Sequence, residues 1–370
     1  MNSEINEDIL FFPVDSSLKK IAEKILKGQR IDAGETLLLY ENAGLGWLSL
    51  LSEIVRRRLN GNDVYYIRNF HIEPTNICVN RCRFCSYSNH FSKKSWDLTI
   101  EEMLDSVCKA DATVREIHIT GAVHPEKGLQ YYGELFKKVH DIRPDLHIKA
   151  LSAVELDYII KKEGITNAEG LKYLKDCGLN SIPGGGAEIL DDTLRKKICE
   201  TKASTREWLA VHEAAHRLGI TSNATMLYGH IETYRQRILH MQLLRDLQDQ
   251  TGGFNAFIPL KFRNMNNELS GISETSVIED MKNYAIARLF LDNFPHLKGY
   301  WPMLGKPMAQ LALSFGVDDM DGTINDSTRI YSLAGAEEQT PQLTVSEMKT
   351  IIQEAHRIPV ERDSLYNKVN

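Results

Sequence analysis

YIRNFHIEPTNICVNRCRFCSYS, residues 66–88, runs a short apolar strand, Tyr66–Ile72, straight into a loop that carries three cysteines as Cys78-x3-Cys82-x2-Cys85. Downstream, short apolar runs alternate with amphipathic stretches, the pattern of a parallel α/β protein. After Tyr66–Ile72 the strand candidates are Glu116–Thr120, His147–Ser152, Asn180–Ile182, Thr221–Tyr228, Asn255–Leu260, Leu297–Trp301 and Val317–Asp319. Helix starts lie between them, as at Thr99 with Glu102 three residues on, and at Ser204 and Thr205 followed by Glu207; this is capping-box spacing. Eight strands with helical crossovers predict a (β/α)8 barrel, in which functional groups stand on loops following the carboxyl ends of strands. The cysteine loop occupies the first of those positions.

Upstream, apolar spacing at Leu18, Ile21, Ile25 and Leu26, then a Leu-rich stretch from Leu37 to Leu59, predict a helical N-terminal cap over 1–64. The barrel is expected over 65–335, and a C-terminal helical extension packed on it, with a helix at Val345–His356, over 336–370. The 370 residues are 42% hydrophobic and 25% charged, a globular balance that excludes disorder and collagen-like repetition. With 44 Lys and Arg against 50 Asp and Glu the net charge is −6, which gives no general attraction for nucleic acid or an anionic membrane. No apolar run reaches the roughly 18 residues of a membrane span. Met1–Asp8 carries Glu4, Glu7 and Asp8 where an export signal would be basic and then apolar. A soluble, cytoplasmic protein is expected, and six cysteines are too few for a disulfide scaffold.

The cysteine triplet arises by chance about once in 600 sequences of this cysteine content. Thiolates hold iron-sulfur clusters, and a cubane bound through three irons leaves its fourth iron open to a ligand other than protein. Zinc takes four closed ligands, or three plus water. With His71 and His90 nearby, a Cys3His zinc site is one alternative, and unligated structural thiols are another.

With Phe84 directly before its last cysteine, the triplet resembles the signature of the radical S-adenosylmethionine (SAM) enzymes, whose fold is a full or partial (β/α) barrel. The resemblance implies a 4Fe-4S cluster on Cys78, Cys82 and Cys85, its open iron chelated by the amino and carboxylate groups of SAM, and reductive cleavage of the sulfonium to a 5′-deoxyadenosyl radical. It also implies cofactor contacts beyond Phe84. Thr120-Gly121-Ala122 stands in the place of a Gly-Gly-Glu motif and lacks its acidic member. Gly229 and Glu232 match a Gly-x-Ile-x-Gly-x-x-Glu motif in which Thr225 and Leu227 replace the first two defined residues. Ile258, within Phe257–Leu260, lies where the family's backbone meets adenine. From their position at the strand ends, Ser152 and Thr225 are expected to be neutral donors, and Glu188 and Glu232 acceptors for ribose or amino groups.

Six stretches, HIEPTNICVNRCRFCSYS, GGGAEI (184–189), SNATMLYGHIET (222–233), TGGFNAFIPL (251–260), YWPMLGK (300–306) and FGVDDMDGT (315–323), are together similar to the aminofutalosine synthases of the futalosine route to menaquinone. Two related groups share that scaffold, the dehypoxanthine futalosine cyclases and the deazaflavin-cofactor synthases; the stretches Asp318–Thr323 and Leu227–His230 favour the synthases. The resemblance implies radical addition to the enol double bond of 3-[(1-carboxyvinyl)oxy]benzoate, followed by rearrangement and loss of the carboxylate as bicarbonate. SAM is then a co-substrate, and a flavodoxin or ferredoxin the electron donor. Two substrate carboxylates need cationic or hydrogen-bonding partners, for which Arg263 and His230 are the candidates.

Other features carry competing readings. His212-Glu213-Ala214-Ala215-His216 fits the H-E-x-x-H pattern of zinc hydrolases, but the flanking Trp208, Val211, Ala215 and Leu218 make the buried stripe of an outer barrel helix, so packing is expected. Gly184–Gly186 lacks the spacing of a phosphate loop and suits close backbone approach or a tight turn. Cys108, Cys177 and Cys199 are expected to be small buried apolar residues. A non-catalytic iron-sulfur sensor would not need a whole barrel with substrate-sized loops.

Overall fold

The computed structural model describes residues 15–90, 94–323, 329–337, 339 and 341–369. Met1–Asp8, read above for an export signal, lies outside the described residues. Among the described residues three helices come first: α1 (Ser16–Leu26), α2 (Ala33–Asn42) and α3 (Leu45–Asn60). Asp15 and Asp32 cap the first two by accepting from backbone N–H groups. Leu18, Ile21, Ala22 and Ile25 on α1, and Trp47, Leu48, Leu51 and Val55 on α3, face inward.

β1 (Asp63–Ile67) and β2 (Asn69–Ile72) are one strand broken at Arg68. There follow α4 (Ile100–Lys109), β3 (Glu116–Ile119), α5 (Leu129–Ile142), β4 (His147–Ala150), α6 (Ala153–Lys162), α7 (Asn167–Asp176), β5 (Ser181–Ile182), α8 (Asp192–Ile198), α9 (Thr205–Arg217), β6 (Thr221–Tyr228), α10 (Tyr234–Thr251), β7 (Phe254–Lys261), α11 (Val277–Phe290) and β8 (His296–Leu297). The chain ends through α12 (Trp301–Leu304), α13 (Lys306–Ala312), β9 (Asp319–Gly322), α14 (Val345–Glu354) and β10 (Ile358–Glu361).

β2 to β8 form a curled seven-stranded parallel sheet in sequence order, and β10, β1 and β9 form a second parallel sheet. The sheets meet where Lys298 bridges Asp319: Asp318 N donates to Leu297 O (3.1 Å) and Gly299 N to Asp319 O (2.8 Å). β9 thereby fills the gap between β8 and β1, and the expected eight-stranded ring is obtained. Two elements differ from expectation. Leu297–Trp301 is not a strand throughout, because β8 stops at Leu297 and Pro302 in the first turn of α12 commits the chain to a helix. The last strand is Asp319–Gly322 and not Val317–Asp319, since Asp318, Asp319 and Asp321 are buried on Arg288, Arg362 and Lys298, whereas an apolar-run reading stops at charge.

Alternation in the short strands gives the barrel a polar interior. Phe70, Ile72, Ile117, Ile119, Ile148 and Ala150 are buried apolar residues, while the intervening Asn69, Glu116 and His147 form one register layer and His71, His118 and Lys149 the next. The C-terminal segment contributes a strand as well as a helix: β10 pairs with β1 from Asp63↔Ile358 to Tyr66↔Glu361. Beyond it Arg362 is buried on Asp319, and Tyr366 stacks on His296 with centroids 3.7 Å apart. This segment closes the amino ends of the strands and leaves the carboxyl ends open. No helix among the described residues is long and apolar enough to cross a membrane.

Candidate active site

The cysteine loop is held by its own polar side chains. Ile77 N donates to Thr75 Oγ1, Cys78 N to Asn89 Oδ1, and Trp96 N to Asn76 Oδ1. Val79 N binds Val123 O (2.9 Å), Arg83 N binds Ile198 O (2.8 Å), and Cys85 N closes a turn on Cys82 O (3.1 Å). Cys78, Cys82 and Cys85 line one cavity at the carboxyl ends of the strands. Burial pushes the Cys82 and Cys85 thiols up, so their protons leave when a metal takes the sulfur.

Among the described residues, no three His, Cys, Asp or Glu groups converge as a single metal ion requires. His90 Nε2 is engaged with Cys78 O at 2.8 Å, and His71 packs edge-to-face on His118, so neither completes a zinc site. Three thiols set around one wall suit a larger group, as an iron-sulfur cubane is. Behind them Lys202 lies over the Phe84 ring (5.2 Å) and pairs with Glu188 at 2.5 Å. Burial works against its charge, yet Cys82 and Glu188 raise its pKa.

The later loops converge on the same cavity. Thr120, Gly121, Ala122, Ser152, Glu188, Thr225 and Ile258 all line it, as does Phe84. A Cβ on Gly121 would stand 2.9 Å from Thr75 O, so the turn is packed against the start of the cysteine loop. Gly184 has φ +88°, and a Cβ there would meet Asn223 O at 2.1 Å; its O accepts from Thr225 Oγ1 at 2.9 Å. Close approach, not phosphate binding, explains these glycines.

The acid missing from the Thr120–Ala122 turn has a neighbour that sequence spacing did not single out. Glu155 accepts from Thr120 Oγ1 (3.2 Å), Gly121 N (3.3 Å), and both N and Oγ of Ser152 (2.7 Å each). Burial pushes it up to about 7. Its signal in the sequence was the Ser152-x-x-Glu155 capping box.

Two candidates lie elsewhere. His230 and Glu232 do not line the cavity: Glu232 accepts from Gly229 N (2.6 Å), His230 N (2.9 Å) and Arg237 Nε (2.8 Å), and His230 Nε2 meets Leu227 O. The turn after β6 folds these side chains back on their own backbone. Arg263 does line the cavity; Nη1 donates to Glu274 (2.9 Å) and Nη2 to Met303 O (2.5 Å). Sequence reading missed Glu116, His118, Lys149, Lys298, Asp321 and Tyr331, which also line it. The E-I-H-I and H-I-K-A alternation of β3 and β4 was the available signal.

The H-E-x-x-H histidines are packing residues, as expected. Ser222 Oγ lies 2.8 Å from both His212 Nδ1 and His216 Nε2, Trp208 covers His212, and Glu213 turns out to Arg217. Of the scattered cysteines, Cys177 and Cys199 are buried but Cys108 is exposed, because α4 buries Ile100, Met103 and Val107 and turns the next position outward.

A parallel barrel with three thiols and the later loops facing one mouth fits a radical SAM enzyme, and the chain belongs to that superfamily, whose model matches residues 72–244 and whose curated relatives match nearly the whole chain. Residues 251–370 match the CofH/MqnC C-terminal region, which places the chain within that branch. The superfamily's cofactors are a 4Fe-4S cluster and SAM. An aminodeoxyfutalosine synthase of Thermus thermophilus is 43% identical over 96% of each chain. A cyclic dehypoxanthine futalosine synthase of Streptomyces coelicolor is 35% identical, covering 95% of this chain and 88% of its own. A 5-amino-6-(D-ribitylamino)uracil–L-tyrosine 4-hydroxyphenyl transferase of Archaeoglobus fulgidus is 38% identical, covering 86% of this chain and 92% of its own. The crystal structure of a methylornithine synthase shares the fold, with TM-score 0.72 at 18% identity over 91% of this chain and 95% of that one.

Proposed function

We propose that this enzyme is an aminodeoxyfutalosine synthase, joining the deoxyadenosyl group of SAM to 3-[(1-carboxyvinyl)oxy]benzoate with rearrangement and decarboxylation, in menaquinone biosynthesis. The observation that carries the reading is the 43% identity to the Thermus synthase over nearly the whole of both chains, against 35% to the cyclase. When bound, the cluster and SAM supply the 5′-deoxyadenosyl radical. The chain's own residues then bind, orient and exclude water. Cys78, Cys82 and Cys85 hold the cluster, while Phe84, the Thr120–Ala122 turn, Ser152, Glu188, Thr225 and Ile258 cradle SAM. Holding alkene and radical carbon at near-attack distance is the main rate contribution a protein makes to such an addition.

The cavity suits an aromatic dicarboxylate. Its lining includes the cations Lys149, Lys202, Lys261, Arg263 and Lys298 against the carboxylates Glu116, Glu188 and Asp321, and Tyr300 and Tyr331 make an edge-to-face pair 5.2 Å apart on its wall. Arg263 is assigned to a substrate carboxylate. A low-potential carrier of the flavodoxin or ferredoxin kind supplies the electron, and we place the reaction in the cytoplasm, where thiols stay reduced.

The test is anaerobic cluster reconstitution followed by incubation with reductant, SAM and the enol ether. A product with the mass of aminodeoxyfutalosine is expected. Free 5′-deoxyadenosine beside unchanged enol ether would overturn the reading in favour of a hydrogen-abstracting relative.

A further inference from the structure

Any occupant of the barrel interior beneath the cofactor loops has to satisfy a surplus of buried hydrogen-bond donors. His71, His118 and Lys149 share one register layer across β2, β3 and β4. Thr120 follows His118 by two residues and Ser152 follows Lys149 by three, so this layer lies directly under the loops assigned to SAM. Lys149 Nζ donates to Glu116 at 2.6 Å, and Lys298 Nζ, from the closing side of the ring, donates to Asp321. Both lysines are buried and both line the cavity. An ammonium carries three donors, and among the described residues each of these has one hydrogen-bond acceptor. Asp319, 4.0 Å from Lys298, is held by Arg362 at 2.7 Å. Glu116 and Asp321 each take one donor of these two buried amines, and the remaining donors call for an acceptor-rich occupant.

Resting on the synthase reading above, we propose that Lys149 and Lys298 together bind the enol carboxylate of the substrate and hold its double bond under the cofactor loops. That carboxylate is attached to the double bond itself, so it must lie within one layer of the cofactor. The benzoate carboxylate, an aryl ring away, extends past Tyr300 and Tyr331 toward Arg263. His118, which also lines this layer, is kept neutral by burial and by His71 and Lys149, and so adds no competing charge.

The test uses reconstituted holoenzyme without reductant, with binding of SAM and of the enol ether measured by calorimetry for wild type, Lys298→Met and Lys149→Met. Loss of a charge-assisted contact is expected to weaken enol-ether binding about 10- to 100-fold and to leave SAM affinity within about twofold. The methyl ester of the enol carboxylate is expected to bind variant and wild type alike. Unchanged enol-ether affinity in the variants, or equal sensitivity of the ester, overturns the assignment. Should a variant fail to fold, wild type alone decides: esterifying the enol carboxylate must cost more affinity than esterifying the benzoate, and the reverse order overturns the proposal. If wild type neither binds nor converts the enol ether, the synthase reading itself falls. If Lys298→Met converts it with unchanged KM, only the carboxylate assignment falls.

Discussion

Arg362 and Asp319 meet at 2.7 Å with neither side chain exposed to solvent, which joins the C-terminal segment to the strand that closes the barrel. Removing one member of such a pair leaves an uncompensated buried charge. Arg362→Met is therefore expected to destabilise the protein by about 3–5 kcal/mol, and Arg362→Met with Asp319→Asn by less. Denaturant unfolding of the two variants checks the order; equal destabilisation would mean the charge itself contributes little.

Cys82→Ser is expected to abolish bound iron and the visible absorbance of the reconstituted protein, because the cluster then has two thiolates. Cys108→Ser, on the exposed face of α4, is expected to match wild type in iron and sulfide content. Iron retained by the Cys82 variant would remove that residue from the cluster set.

Glu155 gathers donors from two loops, and Glu155→Ala leaves those donors without their acceptor. SAM binding is expected to weaken roughly tenfold, in line with about 1–3 kcal/mol for an unsatisfied buried group. Because burial raises its folded pKa to about 7 from 4.5, the stability linked to its proton is full below 4.5 and is lost as pH rises through 7, by about 1.4 kcal/mol per unit. Glu155→Gln, which cannot titrate, is expected to flatten that decline in pH-dependent unfolding.

His216 behaves in the opposite sense. Burial pushes it down to about 4 from 6.5, so its stability contribution is present above 6.5 and lost as pH falls toward 4. His147, also pushed to about 4 by burial, adds to the same window. The unfolding free energy of His216→Gln is expected to vary less with pH between 6.5 and 4 than that of wild type.

Arg263→Ala is expected to raise KM for the enol ether about tenfold, the scale of one charged hydrogen bond, with SAM affinity unchanged. A fall in kcat alone, with KM unaltered, would place Arg263 outside substrate binding.

Strand order and the cysteine loop were legible because apolar runs and thiol spacing are local signals. The lysines of the interior were not. In a strand of four residues such as His147–Ala150, a charged residue reads as solvent-facing, and only the closed ring turns Lys149 into a buried group. The placement of His230 and Glu232 was hidden for a related reason: spacing sets them after β6, but the turn at Gly229, with φ +89°, decides that Glu232 returns to cap that turn's amides. Glu155 was visible as a helix cap, and its reach to Gly121 depends on how β3 lies beside β4.

The pairing of β10 with β1 also bears on how the molecule is made. Asp63 and Ile358 are register partners far apart in sequence, so the seal on the amino side of the ring forms only after β10 has been synthesised. Such distant pairing is slow to form, and until it does Asp319 has no Arg362. Until then the barrel is expected to have an open base and exposed strand edges, the kind of surface that makes folding intermediates prone to aggregation.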